Sequence, residues 1–547
     1  MAADDGGRSQ GPQPPPTRAA QVCANCKARK KKCNKALPKC GYCFRKGQSC
    51  CYETIRPQRP RDHAFPALGL GHGSNGNTLL SPYTKAYPAV DPAAASEASL
   101  YLEVHRLICE TGQSVDDLSA RYFQGIHQFL PFVSRARFHD SISSSSSVTL
   151  MGAGATPTPP AGFSVLLLSI CLITLPLSEG AARQQESLYL TAKSLLAQAQ
   201  VLFGPPPSVS LVQAGLLLAV YEYTHGRPGE ALVSIAGCAR MAYAARIHHM
   251  RRRDRGLAPR MLPEGGTPRT RSAAVAAAGG IGADLRLEAE EAANTWWAIV
   301  ICERLFFCEA TVCDQPLVTV FPSGDAWLPV EPEILNKGIE DTSADPGSVP
   351  YYVPVPVSSL SCVDVRGFGR AAQAACLLDK ILKGFNIPNL GARLLHLQGL
   401  DAALQVFLGL LLKQCEGEDG VFCEALTITI RSLYTLHWHI LSQASQAINA
   451  SSESQLQEEE WYRGSRMALD AVTNMVIDIV DSHMAKDKGD RHLCVTLAPT
   501  YSYIVRAALR YVQEKKMRWQ DDGNDDNWPV HAEERLRIGL EHCDVGR

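Results

Sequence analysis

The sequence lacks the two apolar features that direct a chain to a membrane or out of the cell. Its first residues, MAADDGGRSQGPQPPP, are proline-rich and contain no apolar segment of the kind found in secretory signals. The longest apolar run, Phe163–Leu177, is shorter than the ~20 residues that a membrane-spanning helix needs. We therefore expect an intracellular protein without a membrane partner. In such a protein the thiols are reduced, and clustered cysteines indicate metal binding rather than disulfides.

The chain also lacks the short motifs of the common enzyme classes. It contains no H-E-x-x-H motif, no Walker phosphate loop and no nucleophile elbow. Residues 71–76 match G-x-G-x-x-G, but they lie in a linker with no predicted strand before them, so we interpret the match as coincidence. His437 and His439 are two residues apart on a predicted helix and diverge, so we interpret them as core or surface histidines. We predict that the protein is not an enzyme.

The net charge of the whole chain is only -1, but the charged residues are unevenly distributed along it. Between Cys23 and Arg61, twelve Lys and Arg residues stand against one acid, Glu53, which gives this stretch a charge of +11. The rest of the chain therefore carries -12. A small basic segment on an acidic body is typical of a protein in which one part contacts phosphates and the remainder does not.

Composition divides the chain into segments. Beyond about Leu100, apolar residues recur at spacings of three and four with few strand-like alternations, which predicts helices such as Ala289–Cys308 and Cys423–Ile448. Surface loops are predicted around 143–147, 251–283 and 321–360. We predict a disordered tail (1–22), a cysteine-rich domain (23–52), a flexible linker (53–98), an all-α regulatory domain (99–515) and an acidic C-terminal segment (516–547).

What the chain does have is six cysteines within 28 residues, spaced C-x2-C-x6-C-x6-C-x2-C-x6-C. Structural zinc takes four ligands, so six thiolates complete two tetrahedra only if two of them bind both ions. Cys23 and Cys40 are the first cysteines of the two C-x2-C pairs, and they are placed to bind both ions. A segment this short and poor in apolar residues needs metal for its folding energy, ~10 kcal/mol per structural zinc. We predict two zinc ions held by Cys23, Cys26, Cys33, Cys40, Cys43 and Cys50.

Three alternatives to this assignment stay open. The segment could be a reduced cysteine-rich loop, or it could bind a single zinc and leave spare thiols. Cys51 directly follows Cys50, and either could be the last ligand. A zinc-ribbon appendage on a metal-dependent or redox enzyme is a further possibility, but an all-cysteine site is closed, whereas a catalytic zinc keeps one coordination position open.

The cysteine segment resembles the DNA-binding domain of the fungal binuclear zinc cluster transcription factors. The likeness includes the six cysteines, the basic run after Cys26, the sequence Pro38-Lys39-Cys40, and Tyr52. The family's usual last spacing favours Cys50 over Cys51. The resemblance implies two short helices around two zinc ions, a double-stranded DNA partner and a nuclear location.

The basic run at 27–32 is predicted to form a short helix that suits the major groove, where Lys and Arg donate to guanine. Its alternatives are a solvated basic face or a nuclear import signal. In the family, the residue four after the second cysteine commonly contacts a CGG triplet, and that position is Lys30. The others are interpreted mainly as phosphate or secondary contacts. The candidate DNA-binding residues are Lys27, Arg29, Lys30, Lys31, Lys32, Lys39, Arg45 and Lys46.

The helical body resembles the middle homology region that many of these regulators carry. The likeness covers roughly residues 115–330, and the helical pattern continues to about 515. It departs from the family at Asn294-Thr295, where Arg is more usual, and at Glu303, where Asp is more usual. Trp296 and Trp297 are interpreted as core residues. The matching stretches are Ala120–Phe132, Gln213–Arg227, Gly229–His248 and Asn294–Arg304.

Together these features predict a pathway-specific transcription regulator. The resemblance favours control of a biosynthetic gene cluster; the alternatives are a regulator of nutrient catabolism and a zinc-scaffolded interaction protein. Residues 53–98 show no sustained heptad, so homodimerisation is expected through the body, which would also contact transcriptional co-regulators. Four acids between Trp519 and Trp528 predict either an activation segment or an acidic loop between the last two helices.

Overall fold

The computed structural model describes two compact units, Met1–Tyr87 and Pro88–Arg547, which are treated separately below. The described residues are 22–23, 26–27, 29–36, 39–46, 92–146, 159–175, 181–202, 204–248, 268–310, 316–336, 354–416, 420–444, 452–487, 498–518 and 528–545.

The smaller unit is organised around its cysteines. Its described residues include one short helix, α1 (Gly41–Arg45), and a helical turn at Cys26–Lys27. The buried residues that the structure describes in this unit are four cysteines, and Cys33 and Tyr42 pack against them. The cluster therefore takes the place that an apolar core holds in a larger domain, which agrees with the expectation that metal supplies the folding energy.

The larger unit is all-α within the residues that the structure describes. One isolated antiparallel bridge, between Trp327 and Pro356, is its only extended pairing in those residues. A 3-10 helix follows α3 at Ile126–Gln128. The helices are α2 (Pro92–Glu110), α3 (Val115–Gln124), α4 (Arg135–Ser146), α5 (Ala161–Thr174), α6 (Ala181–Leu202), α7 (Val209–Thr224), α8 (Pro228–Ala244), α9 (Pro268–Glu309), α10 (Pro332–Asn336), α11 (Gly367–Gly384), α12 (Leu390–Cys415), α13 (Cys423–Ala444), α14 (Ser452–Asp487), α15 (Tyr501–Arg518) and α16 (Trp528–Val545).

Local sequence explains where several of these helices begin. Ser114, Ser208 and Asn389 are N-caps whose side-chain oxygens accept hydrogen bonds from backbone N–H groups of the first turn of α3, α7 and α12. Pro228 occupies the first turn of α8, where its missing N–H costs nothing.

All three predicted loops contain some helix. The short helix α10 (Pro332–Asn336) lies inside the predicted loop 321–360. Helix α9 begins at Pro268, inside the predicted loop 251–283, and α4 continues to Ser146, inside the loop at 143–147. The loop 251–283 is predicted from its Arg, Gly and Pro content, but 273–278 is a run of Ala interrupted by one Val, and Ala has the highest helix propensity.

The core of the larger unit is built on helices that are apolar around their whole circumference. In α5, every residue from Ala161 to Leu172 is buried, so the longest apolar run of the sequence is a central core helix. It packs against α7, which in turn packs against α8. A Cβ atom on Gly215 of α7 would lie 2.8 Å from the Cys238 sulfur, so glycine is needed for this close approach.

One described helix, α12, is long and apolar enough to cross a membrane by length and composition alone. Core helices of soluble proteins pass the same test. One side of α12 packs against α11 and α13 and buries Leu397, Leu404 and Leu411. We therefore interpret α12 as a helix at the edge of the bundle.

The C-terminal helix α16 packs on α14 and α15. Ala532 and Leu536 are buried there, and Lys516 of α15 pairs with Glu533 at 3.5 Å. This packing agrees with the structural interpretation of the last helix. The acidic stretch 519–527 lies outside the described residues, so its interpretation as an activation segment stays a prediction.

Candidate metal centre and basic surface

Each C-x2-C pair lies on a turn that is closed by backbone hydrogen bonds. Lys27 N–H donates to the Cys23 carbonyl (3.0 Å), and Lys31 N–H donates to the Cys26 carbonyl (3.0 Å). Cys40 is the N-cap of α1, and its sulfur accepts a hydrogen bond from Cys43 N–H at 3.4 Å. These turns direct both cysteines of each pair towards the same point.

The two pairs meet in one compact group of sulfurs. The distances between pairs are Cys23–Cys40 3.7 Å, Cys23–Cys43 3.8 Å, Cys26–Cys40 3.6 Å and Cys26–Cys43 3.9 Å. All four sulfurs lie within 4.8 Å of one another, and all four residues are buried. A tetrahedron of sulfurs at ~2.3 Å from zinc has edges of about 3.8 Å. The four thiols therefore fit a four-coordinate zinc ion.

The remaining predicted ligands are placed differently. The Cys33 sulfur is half-buried and lies 3.9 Å from the Cys23 sulfur, at the edge of the group. Cys50 and its neighbour Cys51 lie outside the described residues. In a two-zinc cluster bridged by Cys23 and Cys40, Cys26 and Cys43 would bind different ions. Here these two sulfurs are 3.9 Å apart, one tetrahedral edge, so the four thiols as placed fit one ion, and the two-ion arrangement with six ligands stays a prediction.

Two thiols of the group, Cys40 and Cys26, differ in proton affinity. The hydrogen bond from Cys43 N–H lowers the pKa of Cys40 to about 6, as expected for a thiol at a helix N-terminus. Burial raises the pKa of Cys26 to about 12, and hydrogen bonds to its neighbours contribute. Zinc binds thiolates, so the lowered pKa of Cys40 favours metal binding, whereas Cys26 must lose its proton as the metal binds.

All eight candidate DNA-binding residues are exposed on this unit. The predicted helix at 27–32 is limited to one turn among the described residues, and 31–35 have no regular secondary structure. Lys30 ends that turn with a left-handed backbone (φ 49°), which prevents the helix from continuing. The basic side chains therefore extend from a turn and the irregular segment that follows it, instead of from a single helix face.

In the larger unit, three of the stretches that resemble the middle homology region meet in one buried polar network. Gln213 donates to the Phe132 carbonyl (2.7 Å), and Asn294 donates to the Pro131 carbonyl (2.8 Å). Asn294 also accepts a hydrogen bond from Val330 N–H at 3.0 Å. The unusual Asn294 is thus an amide that joins three chain segments in the core, and the neighbouring Trp296 and Trp297 are buried as predicted.

Comparisons with known proteins agree with this organisation. The family described as "Fungal specific transcription factor domain" matches residues 120–308. Transcription factor BOA15 of Botryotinia fuckeliana (strain B05.10) is 29% identical over 140 residues, which cover 25% of this chain and 68% of the relative. Both findings support a fungal transcription regulator. They suggest a protein that is not an enzyme. No solved structure matches the chain.

The C-terminal end of the matched region carries a second buried network, around Glu303 and Arg304. Glu303 accepts hydrogen bonds from the backbone N–H groups of Val318 (2.7 Å) and Thr319 (3.0 Å). Arg304 donates to Asp379 (3.2 Å) and to the Thr319 carbonyl (2.9 Å). In the sequence, Glu303 is notable only as a departure from the family. The residues that bond to Glu303 and Arg304 lie on other segments of the chain, and no sequence pattern connects them to these two side chains.

Proposed function

We propose that the protein is a sequence-specific DNA-binding transcription factor that acts in the nucleus. The proposal depends mainly on one observation: exposed cations surround a group of four buried thiols with zinc-like spacing. The same chain carries a region similar to fungal transcription factors. An all-cysteine site has no open coordination position, so it supports a structural role for the metal rather than a catalytic one.

In this proposal the metal acts as the core of the small unit. Zinc would hold the cysteine turns together, and through them it would fix the basic run between Cys26 and Cys33 and the cations beside Cys40 and Cys43. Lys30, at the end of the first turn, would contact guanine of a CGG triplet in the major groove. Phosphate contacts from the second half, such as Arg45 and Lys46, would position the unit on the duplex.

We infer a regulatory role for the larger unit, which would contact transcriptional co-regulators and a second copy of the chain. We also propose that the protein controls one biosynthetic pathway, in keeping with the family resemblance. Genome-wide mapping of bound sites would identify that pathway, and sites scattered among unrelated genes would contradict the assignment.

The function is tested by DNA binding with and without metal. We expect the full-length chain with zinc to bind a duplex that contains CGG triplets more tightly than a scrambled duplex. A chelator should abolish this preference, and added zinc should restore it. Circular dichroism of the same samples should show that the helical body stays folded. Equal affinity for both duplexes in the presence of zinc would contradict sequence-specific binding.

Two lysines are expected to contribute differently to that binding. Lys30→Ala should cost about 1–3 kcal/mol on CGG-containing sites, with little effect on random DNA, because it removes a base contact. Lys46→Ala should weaken binding to all sequences alike and reduce the salt dependence by about one counterion. Fluorescence anisotropy at several salt concentrations measures both effects. Equal losses on specific and random DNA for Lys30→Ala would exclude its assignment as the base-contacting residue.

A further inference from the structure

A cleft in the larger unit lies between α8, α9 and the segment 316–318. Its volume is about 460 Å³, which is in the range of small-molecule sites. The side formed by α8 uses residues spaced by four, which share one face of that helix. The principal lining residues are Leu232, Ala236 and Arg240 of α8, Glu303 and Phe307 of α9, and Val318.

The cleft is apolar at one end and cationic at the other. At the apolar end, Leu232 is buried and Phe307 is half-buried. Val233 also lines the cleft, and 64% of its surface is exposed. Arg240 lies about two turns further along α8, which places its Cα atom about 12 Å from that of Leu232. A ligand in this cleft therefore meets hydrocarbon along most of its length and a guanidinium at one end.

The two charged groups of the cleft differ in whether they are already paired. The Glu303 carboxylate is only 1% exposed, and it accepts hydrogen bonds from the N–H groups of Val318 (2.7 Å) and Thr319 (3.0 Å). It also pairs with the Arg304 guanidinium at 3.0 Å. Arg240, in contrast, is exposed and makes no hydrogen bond or ion pair with any residue that the structure describes. The charge available to a ligand is therefore positive.

We propose that this cleft binds a small amphipathic anion, with its carboxylate on the Arg240 guanidinium and its apolar body against Leu232 and Phe307. A guanidinium binds a carboxylate through two parallel N–H donors, which fixes the orientation of the ligand. A neutral apolar ligand would gain nothing from Arg240, and an ion such as phosphate would gain nothing from the apolar walls. Binding requires neither zinc nor DNA, so this proposal and the proposed function can fail separately.

The wall of the cleft belongs to the buried network around Glu303. Val318 is held by Glu303 from α9 and by the Tyr243 hydroxyl of α8, which lies 3.5 Å from the Val318 carbonyl oxygen. Glu303 pairs with Arg304, and Arg304 in turn bonds to Asp379 of α11. A ligand that packs on this wall stabilises the arrangement of α8, α9 and α11, because it binds the folded body and not the unfolded chain. It should therefore raise the melting temperature of the body.

Isothermal titration calorimetry of the full-length chain with zinc tests the charged end. Octanoate is the probe, and octanol and octylamine are its neutral and cationic counterparts of equal chain length. We expect octanoate to bind at least tenfold more tightly than either of them, because it alone brings an anion to Arg240. Arg240→Gln should reduce the affinity for octanoate to that for octanol. Arg183→Gln, which changes an exposed arginine of α6, is the matched control and should leave the preference unchanged.

Val233→Glu tests the apolar end. Val233 is exposed and Glu favours helix over Val, so the melting temperature without ligand should stay near that of the wild type. The affinities for octanoate and for octanol should both fall at least tenfold, because a carboxylate would lie against the hydrocarbon chain. Octanoate should raise the melting temperature of the wild type, but not that of Arg240→Gln or Val233→Glu.

Three results would overturn the assignment of this cleft. The first is no detectable binding of octanoate by the wild type below the concentration at which micelles form. The second is equal affinity for octanoate, octanol and octylamine. The third is octanoate binding that Arg240→Gln and Val233→Glu both retain, which would show adventitious binding to other apolar surfaces only.

Discussion

Replacing Cys23 with serine is expected to remove zinc from the small unit and to abolish specific DNA binding. The Cys23 sulfur lies 3.7 Å from that of Cys40, 3.8 Å from Cys43 and 3.9 Å from Cys33, so Cys23, like Cys40, is a ligand in both the one-ion and the two-ion arrangement. Among the described residues of this unit the buried ones are four cysteines, and loss of a structural zinc removes ~10 kcal/mol of folding free energy. Elemental analysis and DNA-binding assays on the full-length variant measure both losses.

The companion variant Cys33→Ser distinguishes one ion from two. In a single-ion site formed by the two C-x2-C pairs, Cys33→Ser should leave one zinc per chain. In the two-zinc cluster predicted from the sequence, the wild type holds two ions, and the variant loses at least one of them. Cys109→Ser, which changes an exposed cysteine of α2, is the control and should alter neither zinc content nor binding. Wild-type zinc content in Cys23→Ser would disprove the assignment of the site itself.

The spacing of the cysteines was sufficient to find the site, but it does not define how many zinc ions the site holds. Spacing identifies which thiols can meet, and the two C-x2-C pairs do meet around one point. The number of ions depends on small separations, such as the 3.9 Å between Cys26 and Cys43, that a spacing pattern does not contain. The end of the helical turn at Lys30 could not be predicted from the sequence either. The left-handed backbone of Lys30 accompanies the hydrogen bond from Lys31 N–H to the Cys26 carbonyl, which only the structure shows.

For the larger unit, apolar spacing predicted that the chain is helical beyond about residue 100. Periodicity is weakest along α12, where apolar residues lie on both sides and the sequence shows little contrast with a period of 3.6. The polar networks were missed. Gln213 and Asn294 read as ordinary polar residues in apolar stretches, and their partners at Phe132 and Val330 are brought near only by the tertiary fold. One feature of the sequence could have indicated these networks: both polar residues lie on the apolar side of a helix.

Arg304→Ala is expected to be the most damaging single change in the body. The Arg304 side chain is only 1% exposed, and it lies between the carboxylates of Glu303 (3.0 Å) and Asp379 (3.2 Å). Removing the guanidinium leaves the buried Glu303 carboxylate without its cation, whereas Asp379 keeps its ion pair with Lys383 (2.7 Å). Breaking a buried pair in this way costs roughly 3–5 kcal/mol, because the uncompensated charge stays out of water. Arg304→Lys should recover only part of the loss, since one ammonium group cannot replace a guanidinium that bonds to four residues.

Urea denaturation followed by circular dichroism provides the measurement for this change. The midpoint of the body transition should fall sharply in Arg304→Ala. Arg106→Ala is the matched control: it also removes an arginine that pairs with two carboxylates, Glu103 and Glu110, but its side chain is 54% exposed. An exposed pair of this kind contributes less than about 1 kcal/mol, so the control should unfold close to the wild type. The fold assigned to 304, 319 and 379 would be wrong if the two variants unfolded at the same urea concentration, since only burial separates their expected effects.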